Sequence, residues 1–403
     1  MLLSKGTFEV SQDVGPIGVI ERLRMKLSKK LGVLALVSGL LVSAAPAANA
    51  VDLTGAGASF PALLIEECKV VFAKSTGHSL TYAASGSGTG RDGSDKQLGH
   101  IWFSDTAHTG STARSTLVHI PAAAAPIAVL HNLPAKNQLF LSPETAAKIF
   151  AGEITRWNDP LIAADNNRSI KEVIYRKNSN GDVMTDKSGK AIVLRTTTKA
   201  IRYTLPNQPI KVIFRSDKSG TSGNFTAWLR GVAPTTWTKP QNDTFTTAFP
   251  GAINDPKNIG RIVGASSSTG VSQLAAATKY SITYAEVSYA KKYNLKSTAI
   301  GNASGNFAIP NGANTAAFLA SSTVDSKGIF KFDYATKEPG AYTLGIITYM
   351  LGDSDYKDKA AVPAIKAWAN AIISPACTDK AEDFIPIEGK LKTLALAAIA
   401  KLG

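Results

Sequence analysis

Apolar and polar positions along this chain follow two periods in turn. Leu64, Cys68, Val71 and Phe72 recur at the spacing of one helix face, as do Phe225, Trp228, Leu229 and Val232, and again Ile365, Trp368, Ala369 and Ile372. Short apolar runs such as Lys211-Val212-Ile213-Phe214 lead into these stripes and read as strands. Strand-like and helix-like segments therefore alternate, which predicts an α/β fold. The stripes and their tryptophans are expected in the core. The first helix should start at Pro61, where a missing N–H costs nothing, and Ser142-Pro143-Glu144 reads as an N-cap with proline in the first turn. Between Lys171 and Arg195, Asn180-Gly181 and Ser188-Gly189 sit among alternating residues and predict a hairpin-rich surface excursion. No internal repeat of fixed period and no long low-complexity segment is present.

The first fifty residues stand apart from this pattern. Arg22, Arg24, Lys26, Lys29 and Lys30 precede an apolar run from Leu31 to Ala45, and Ala48-Asn49-Ala50 offers a small-residue cleavage site. The run is shorter than the roughly 20 apolar residues of a spanning helix. Residues 1–50 are therefore expected to be a leader with a signal peptide, removed on export to a periplasmic, cell-surface or secreted location. Residues 1–24 lack targeting character, so Met25 is an alternative start. No cysteine lies at the cleavage site to signal a lipid anchor. The two cysteines, Cys68 and Cys377, are expected to form one disulfide that ties together the ends of the mature chain; the alternative is a pair of buried thiols.

The leader carries six Lys/Arg and three Asp/Glu, so its removal lowers the formal charge from +14 to +11. A basic surface favours anions in general. No nucleic-acid motif and no basic run interleaved with aromatics occurs, so nucleic acid is not an expected partner. About 350 residues remain, enough for two domains.

Three short motifs narrow the chemistry: Gly55-Ala56-Gly57-Ala58-Ser59-Phe60-Pro61, Ser85-Gly86-Ser87-Gly88-Thr89-Gly90, and Arg215-Ser216-Asp217-Lys218-Ser219-Gly220-Thr221-Ser222-Gly223. Each puts small residues and hydroxyls where a helix begins. A helix start leaves N–H groups unpaired and carries the positive end of the macrodipole, so three such turns could enclose a tetrahedral oxyanion. Arg215 adds a planar fork suited to phosphate or carboxylate. Phosphate keeps at least one proton near neutrality, and an ionised carboxylate is acceptor-only. Asp105, in Phe103-Ser104-Asp105-Thr106, is the candidate to accept that proton, and would stand unpaired against sulfate.

These motifs resemble the phosphate-binding subunit of bacterial high-affinity phosphate import systems, a periplasmic-type solute-binding protein. The likeness extends to Ile149-Phe150-Ala151-Gly152-Glu153-Ile154-Thr155-Arg156-Trp157-Asn158-Asp159-Pro160 and Leu205-Pro206-Asn207-Gln208-Pro209. It implies the type II periplasmic-binding-protein fold, with two α/β domains joined by two crossing hinge strands. Here these would be residues 51–133 with 346–403, and residues 134–345 carrying a hairpin-like insertion near 171–195. By the same resemblance Ser59, Phe60 and Ser87 would bind the ion, Asp105 would accept its proton, and Arg215, oriented by Asp217, would make the ionic contact. Ser219, Gly220 and Thr221 would donate from the third helix start, with Ala58, Gly86 and Gly88 in support. The partners implied are inorganic phosphate and the membrane permease of an ABC transporter, with the chain acting as a monomer and needing no cofactor or metal. The sequence departs from the family's usual pattern at Ser59, where threonine is common, and at Thr89-Gly90-Arg91-Asp92, which brings charge near the site.

Two other classes fit parts of the sequence. A secreted phosphatase or serine hydrolase would need an activated nucleophile, yet no G-x-S-x-G elbow or H-E-x-x-H occurs. The five histidines, His78, His100, His108, His119 and His131, have no metal-ligand spacing. A binding protein for a different oxyanion would differ in how it treats sulfate.

Overall fold

The computed structural model describes residues 50–403 apart from 135–136, 188–190, 380 and 382. Apart from Ala50 the expected leader lies outside the described residues, as does the Ser188-Gly189 turn.

The glycine turns fall where strands hand over to helices. β1 (Asp52–Gly57) leads into α1 (Ala62–Thr76), β2 (Ser79–Ala83) into α2 (Ser87–Lys96), and β3 (Ile101–Ser104) stops at Asp105. β1 pairs in parallel with both β2 and β3, so the three strands present their C-terminal ends along one edge. That edge is where open α/β sheets hold ligands. β4 (Leu117–His131) then crosses the molecule and is followed by α3 (Pro143–Phe150). β5 (Ser169–Tyr175) and β6 (Val193–Ala200) form a separate antiparallel hairpin, in agreement with the excursion read from the sequence. β7 (Lys211–Arg215) enters α4 (Gly220–Val232) through the third turn, and β8 (Ile262–Ala265) enters α5 (Ser267–Ala277). β9 (Ser281–Glu286), β10 (Gly345–Asp353), α6 (Val362–Ile372), α7 (Pro375–Thr378) and α8 (Gly389–Ala400) complete the elements that matter here.

Among the described residues one nine-stranded sheet runs β2-β1-β3-β10-β4-β9-β7-β8, with the short Lys296–Ser297 strand also on β4. β4 joins its two halves. Leu117–Pro126 pair antiparallel with β10, and Ile127–His131 pair with β9. At the change of partner the Ile127 N–H donates to Leu344 O at 2.8 Å, just before β10 begins, so two chain segments cross side by side. Pro121 falls at the register shift between Thr348 and Tyr349, where a missing ladder donor is tolerated.

The expected helix faces are the buried ones, except that Val71 and Val232 are only half-buried. Leu64, Cys68, Phe72, Phe225, Trp228, Leu229, Ile365, Trp368, Ala369 and Ile372 are all inaccessible, and Phe72 meets Trp368 edge-on at 5.3 Å. Ser142 caps α3 by accepting from Thr145 N at 3.4 Å, with Pro143 in the first turn.

The disulfide expectation needs correction. α1 and α7 do pack together, but Cys68 and Cys377 are both free and buried, not joined. Burial, chiefly, pushes the Cys68 thiol up, so it is held as a protonated small hydrophobe.

Candidate functional site

The sequence places small residues at each strand end because backbone must approach backbone there. Gly57, at φ +139°, would put a Cβ 2.2 Å from Phe103 O, so only glycine lets β1 turn beside β3. Ala58 N–H then donates to Phe103 O at 2.9 Å, and Ala58 O accepts from the Tyr82 hydroxyl at 2.8 Å. This fixes Ser59 and Phe60 in the turn, with the Phe60 ring against Phe384 at 6.2 Å. Gly86 caps α2 at φ +106°, and its Cβ would meet Asp217 Oδ2 at 2.5 Å. Gly88 N–H donates to Lys218 O at 2.9 Å, which ties the second turn to the third.

The eight residues singled out from the sequence, Ser59, Phe60, Ser87, Asp105, Arg215, Ser219, Gly220 and Thr221, are all buried, and their turns meet. Hydrogen bonds run through them as a chain. Ser59 Oγ donates to Ser268 Oγ at 3.1 Å and accepts from Ser268 N at 2.9 Å. Arg215 Nη1 donates to Ser268 Oγ at 3.2 Å and to Thr221 Oγ1 at 3.4 Å. Thr221 Oγ1 donates to Asp105 Oδ2 at 3.2 Å, and Ser87 Oγ accepts from Asp105 N at 3.1 Å. The chain thus links both halves of the sheet through polar side chains, joined by the N–H groups of Asp105 and Ser268. Ser219 is the N-cap of α4 and accepts from Ser222 N at 3.2 Å, leaving its own hydroxyl proton for another acceptor. Gly220 and Thr221 occupy the first turn, whose N–H groups have no intrahelical acceptor.

Arg215 is 1% exposed and grips Asp217 bidentately, Nε to Oδ1 at 2.7 Å and Nη2 to Oδ2 at 2.5 Å. This is no surface ion pair. Burial acts to raise the Asp217 pKa, but the hydrogen bonds and charge of Arg215, with Ser267 N–H at 3.0 Å, hold it below the usual carboxylate value. Asp105 moves the other way. Burial pushes it up to about 6, against the opposing hydrogen bond from Thr348 at 2.9 Å and the charge of Arg215.

Gly220 is where the second and third turns and Asp105 converge. A Cβ there would stand 2.5 Å from Ser87 Oγ, 2.9 Å from Thr106 N and 3.0 Å from Asp105 Cβ. Overpacking of this kind costs about 1–3 kcal/mol. Gly220→Ala is therefore expected to lower ligand affinity by roughly tenfold or more at that cost, measured by titration calorimetry, with secondary structure unchanged by circular dichroism.

Several contributors were not singled out from the sequence as ligand-binding residues, although charge at Arg91 was expected near the site. Ser268 opens α5 from Ser266-Ser267-Ser268-Thr269-Gly270, a fourth turn with the same small, hydroxyl-rich signature directly after a strand. Thr348 on β10 and Tyr284 on β9, whose hydroxyl accepts from Arg215 N at 3.2 Å, carried no local signal. Arg91 donates to Ser104 Oγ at 2.9 Å and Thr106 Oγ1 at 2.7 Å and pairs with Asp243, whose backbone carbonyl accepts from Ser219 N at 2.9 Å. Both side chains are about a tenth exposed.

Among the described residues no histidine hydrogen-bonds to Ser59, Ser87 or Ser219. His108 pairs with Asp95 at 2.7 Å beside a separate cavity of about 520 Å³ that shares no residue with the site.

A model of the PBP superfamily domain matches residues 42–376. Among curated proteins, the phosphate-binding protein PstS 2 of Mycobacterium tuberculosis is 31% identical over 314 residues, covering 74% of this chain and 72% of that protein. The phosphate-binding protein PstS of Haemophilus influenzae is 29% identical over 276 residues, covering 67% and 69%. Among solved structures, the ancestral soluble variant of the human phosphate binding protein superposes with a TM-score of 0.62 at 18% identity, over 86% of this chain and 93% of that one. The phosphate-binding protein from Stenotrophomonas maltophilia does so at 0.58 and 18%, over 87% and 93%. These two carry the fold.

Proposed function

Because the chain belongs to the PBP superfamily, and within it to the family of these phosphate-binding proteins, we propose that it captures inorganic phosphate outside the cytoplasm and delivers it to an ABC-type permease. The observation that supports this most is the hydrogen-bonded chain Ser59, Ser268, Arg215, Thr221, Asp105, Ser87, which sets donors from several strand ends around one buried carboxylate. Ser59, Phe60, Ser87, Ser219, Gly220 and Thr221 donate to the anion through hydroxyl or backbone N–H groups, and Arg215 supplies its charge. Asp105 accepts the proton that phosphate retains. Charge-assisted hydrogen bonds contribute about 1.5–3 kcal/mol each, so a handful reach the roughly −8 kcal/mol of micromolar binding after desolvation. No bond is made or broken in the ligand.

The two halves of the sheet act as two lobes, one led by β1–β3 and the other by β7–β9. Their hinge lies where β4 and the entry to β10 cross, and parting them there opens the site to solvent. The chain acts as a monomer exported by its leader.

Titration calorimetry on the mature protein, stripped of ligand, tests the reading. Phosphate is expected to bind with one site per chain and sulfate far more weakly. Equal binding of the two ions would remove the role given to Asp105, and absence of phosphate binding would remove the function.

A further inference from the structure

The β5–β6 hairpin takes no part in the site, and its charge is one-sided. Residues 168–202 hold nine Lys/Arg and three Asp/Glu, so about a tenth of the mature chain carries six of its eleven net positive charges. Protecting the open edges of a two-stranded sheet would explain charge of either sign. It does not explain this excess. Lys171, Arg176, Lys177, Arg195, Lys199 and Arg202 are all exposed, and none has an ion-pair partner among the described residues.

The far end of the hairpin also exposes apolar surface beside that charge. Arg176 N donates to Ile192 O at 2.8 Å and Met184 N to Arg176 O at 2.8 Å, which sets these three residues side by side. The register shifts at Ile174/Tyr175, leaving Leu194 unpaired at the bulge. Leu194 is 58% exposed, its neighbour Val193 42% and Met184 38%. A soluble polyanion would satisfy the cations and leave these three side chains in water. A bilayer interface takes both, since anionic headgroups attract the cations and the acyl boundary accepts the apolar groups.

We propose that this hairpin is a membrane-docking surface that holds the protein reversibly on anionic lipid headgroups. Docking depends on charge, so it weakens as salt screens the headgroups.

The test is cosedimentation of the purified mature protein with vesicles of phosphatidylglycerol and phosphatidylcholine in equal parts, and with phosphatidylcholine alone. Binding is expected only to the anionic vesicles. The triple variant Arg176→Glu, Lys177→Glu, Arg195→Glu should lower it by at least about tenfold. Val193→Ser with Leu194→Ser should lower it severalfold while leaving binding to dextran sulfate unchanged. Phosphate titration of each variant reports that it is folded and reads the other site separately. Failure of the wild type to bind anionic vesicles overturns the proposal. So does a serine pair that binds vesicles as the wild type does, which would make the hairpin a site for soluble polyanions.

Discussion

Arg215→Ala is expected to abolish tight phosphate binding and lower thermal stability together. The guanidinium is almost wholly buried, and its three nitrogens reach Asp217, Thr221 and Ser268. Truncation removes the site's main positive charge and also leaves Asp217 as an uncompensated anion where another anion must bind. Breaking one side of a buried pair costs about 3–5 kcal/mol, so affinity should fall by more than about a hundredfold. Arg215→Lys keeps the charge but loses the fork, and should lie between the wild type and the alanine variant. Calorimetry and thermal melts check both effects. An alanine variant that binds phosphate within about tenfold of the wild type would mean that the ion does not meet Arg215.

Asp105→Asn is the second large effect, and it falls on selectivity. The carboxylate already accepts from Thr348 and Thr221, and in the proposed site its remaining lone pairs would read whether the ligand brings a proton. Against sulfate those acceptors go unpaired, at about 1–3 kcal/mol. Asparagine offers an N–H₂ instead, so sulfate should gain and phosphate should lose, and the ratio of affinities should collapse. The wild type should show a partial version of the same change with pH. Burial raises Asp105 to about 6, so below that pH the ligand-free group is protonated, becomes a donor, and discrimination narrows. The sign for stability follows from linkage. The folded chain holds this proton more tightly than the unfolded one, so the contribution of Asp105 is most favourable near and below 3.8 and is lost as pH rises through about 6. Melting temperatures of ligand-free wild type and Asp105→Asn, compared across that window, should therefore diverge in favour of the variant as pH rises. Parallel curves would contradict the assignment.

Much of the fold was legible because its chemistry is local. Lys211–Phe214, the glycine turn and the Phe225–Val232 stripe read in order as strand, turn and helix, and they fold in that order. The turns could be recognised because small residues and hydroxyls are what close backbone approach demands, as the 2.2 Å clash at Gly57 illustrates. Long-range contacts were not legible. Thr348 lies 243 residues from the carboxylate it serves, and Arg91 lies 152 from Asp243. The Ala122–Ala125 run has helical propensity, yet it forms the centre of β4 because pairing with β10 and the Ala124 bridge to Ile385 override intrinsic preference. Two cysteines in an exported chain suggest a bond, but only geometry decides whether sulfur meets sulfur. Ser268 could have been found, since its turn has the signature of the other three and lacked only an expected partner.

The most direct measurement is a crystal structure of the mature protein grown with phosphate. Difference density is expected for one tetrahedral ion within hydrogen-bond reach of Ser59, Ser87, Arg215 and Thr221, with one oxygen facing Asp105. An ion bound elsewhere, or density at the Arg215 turn that leaves Ser59 and Ser87 beyond reach, would contradict the account.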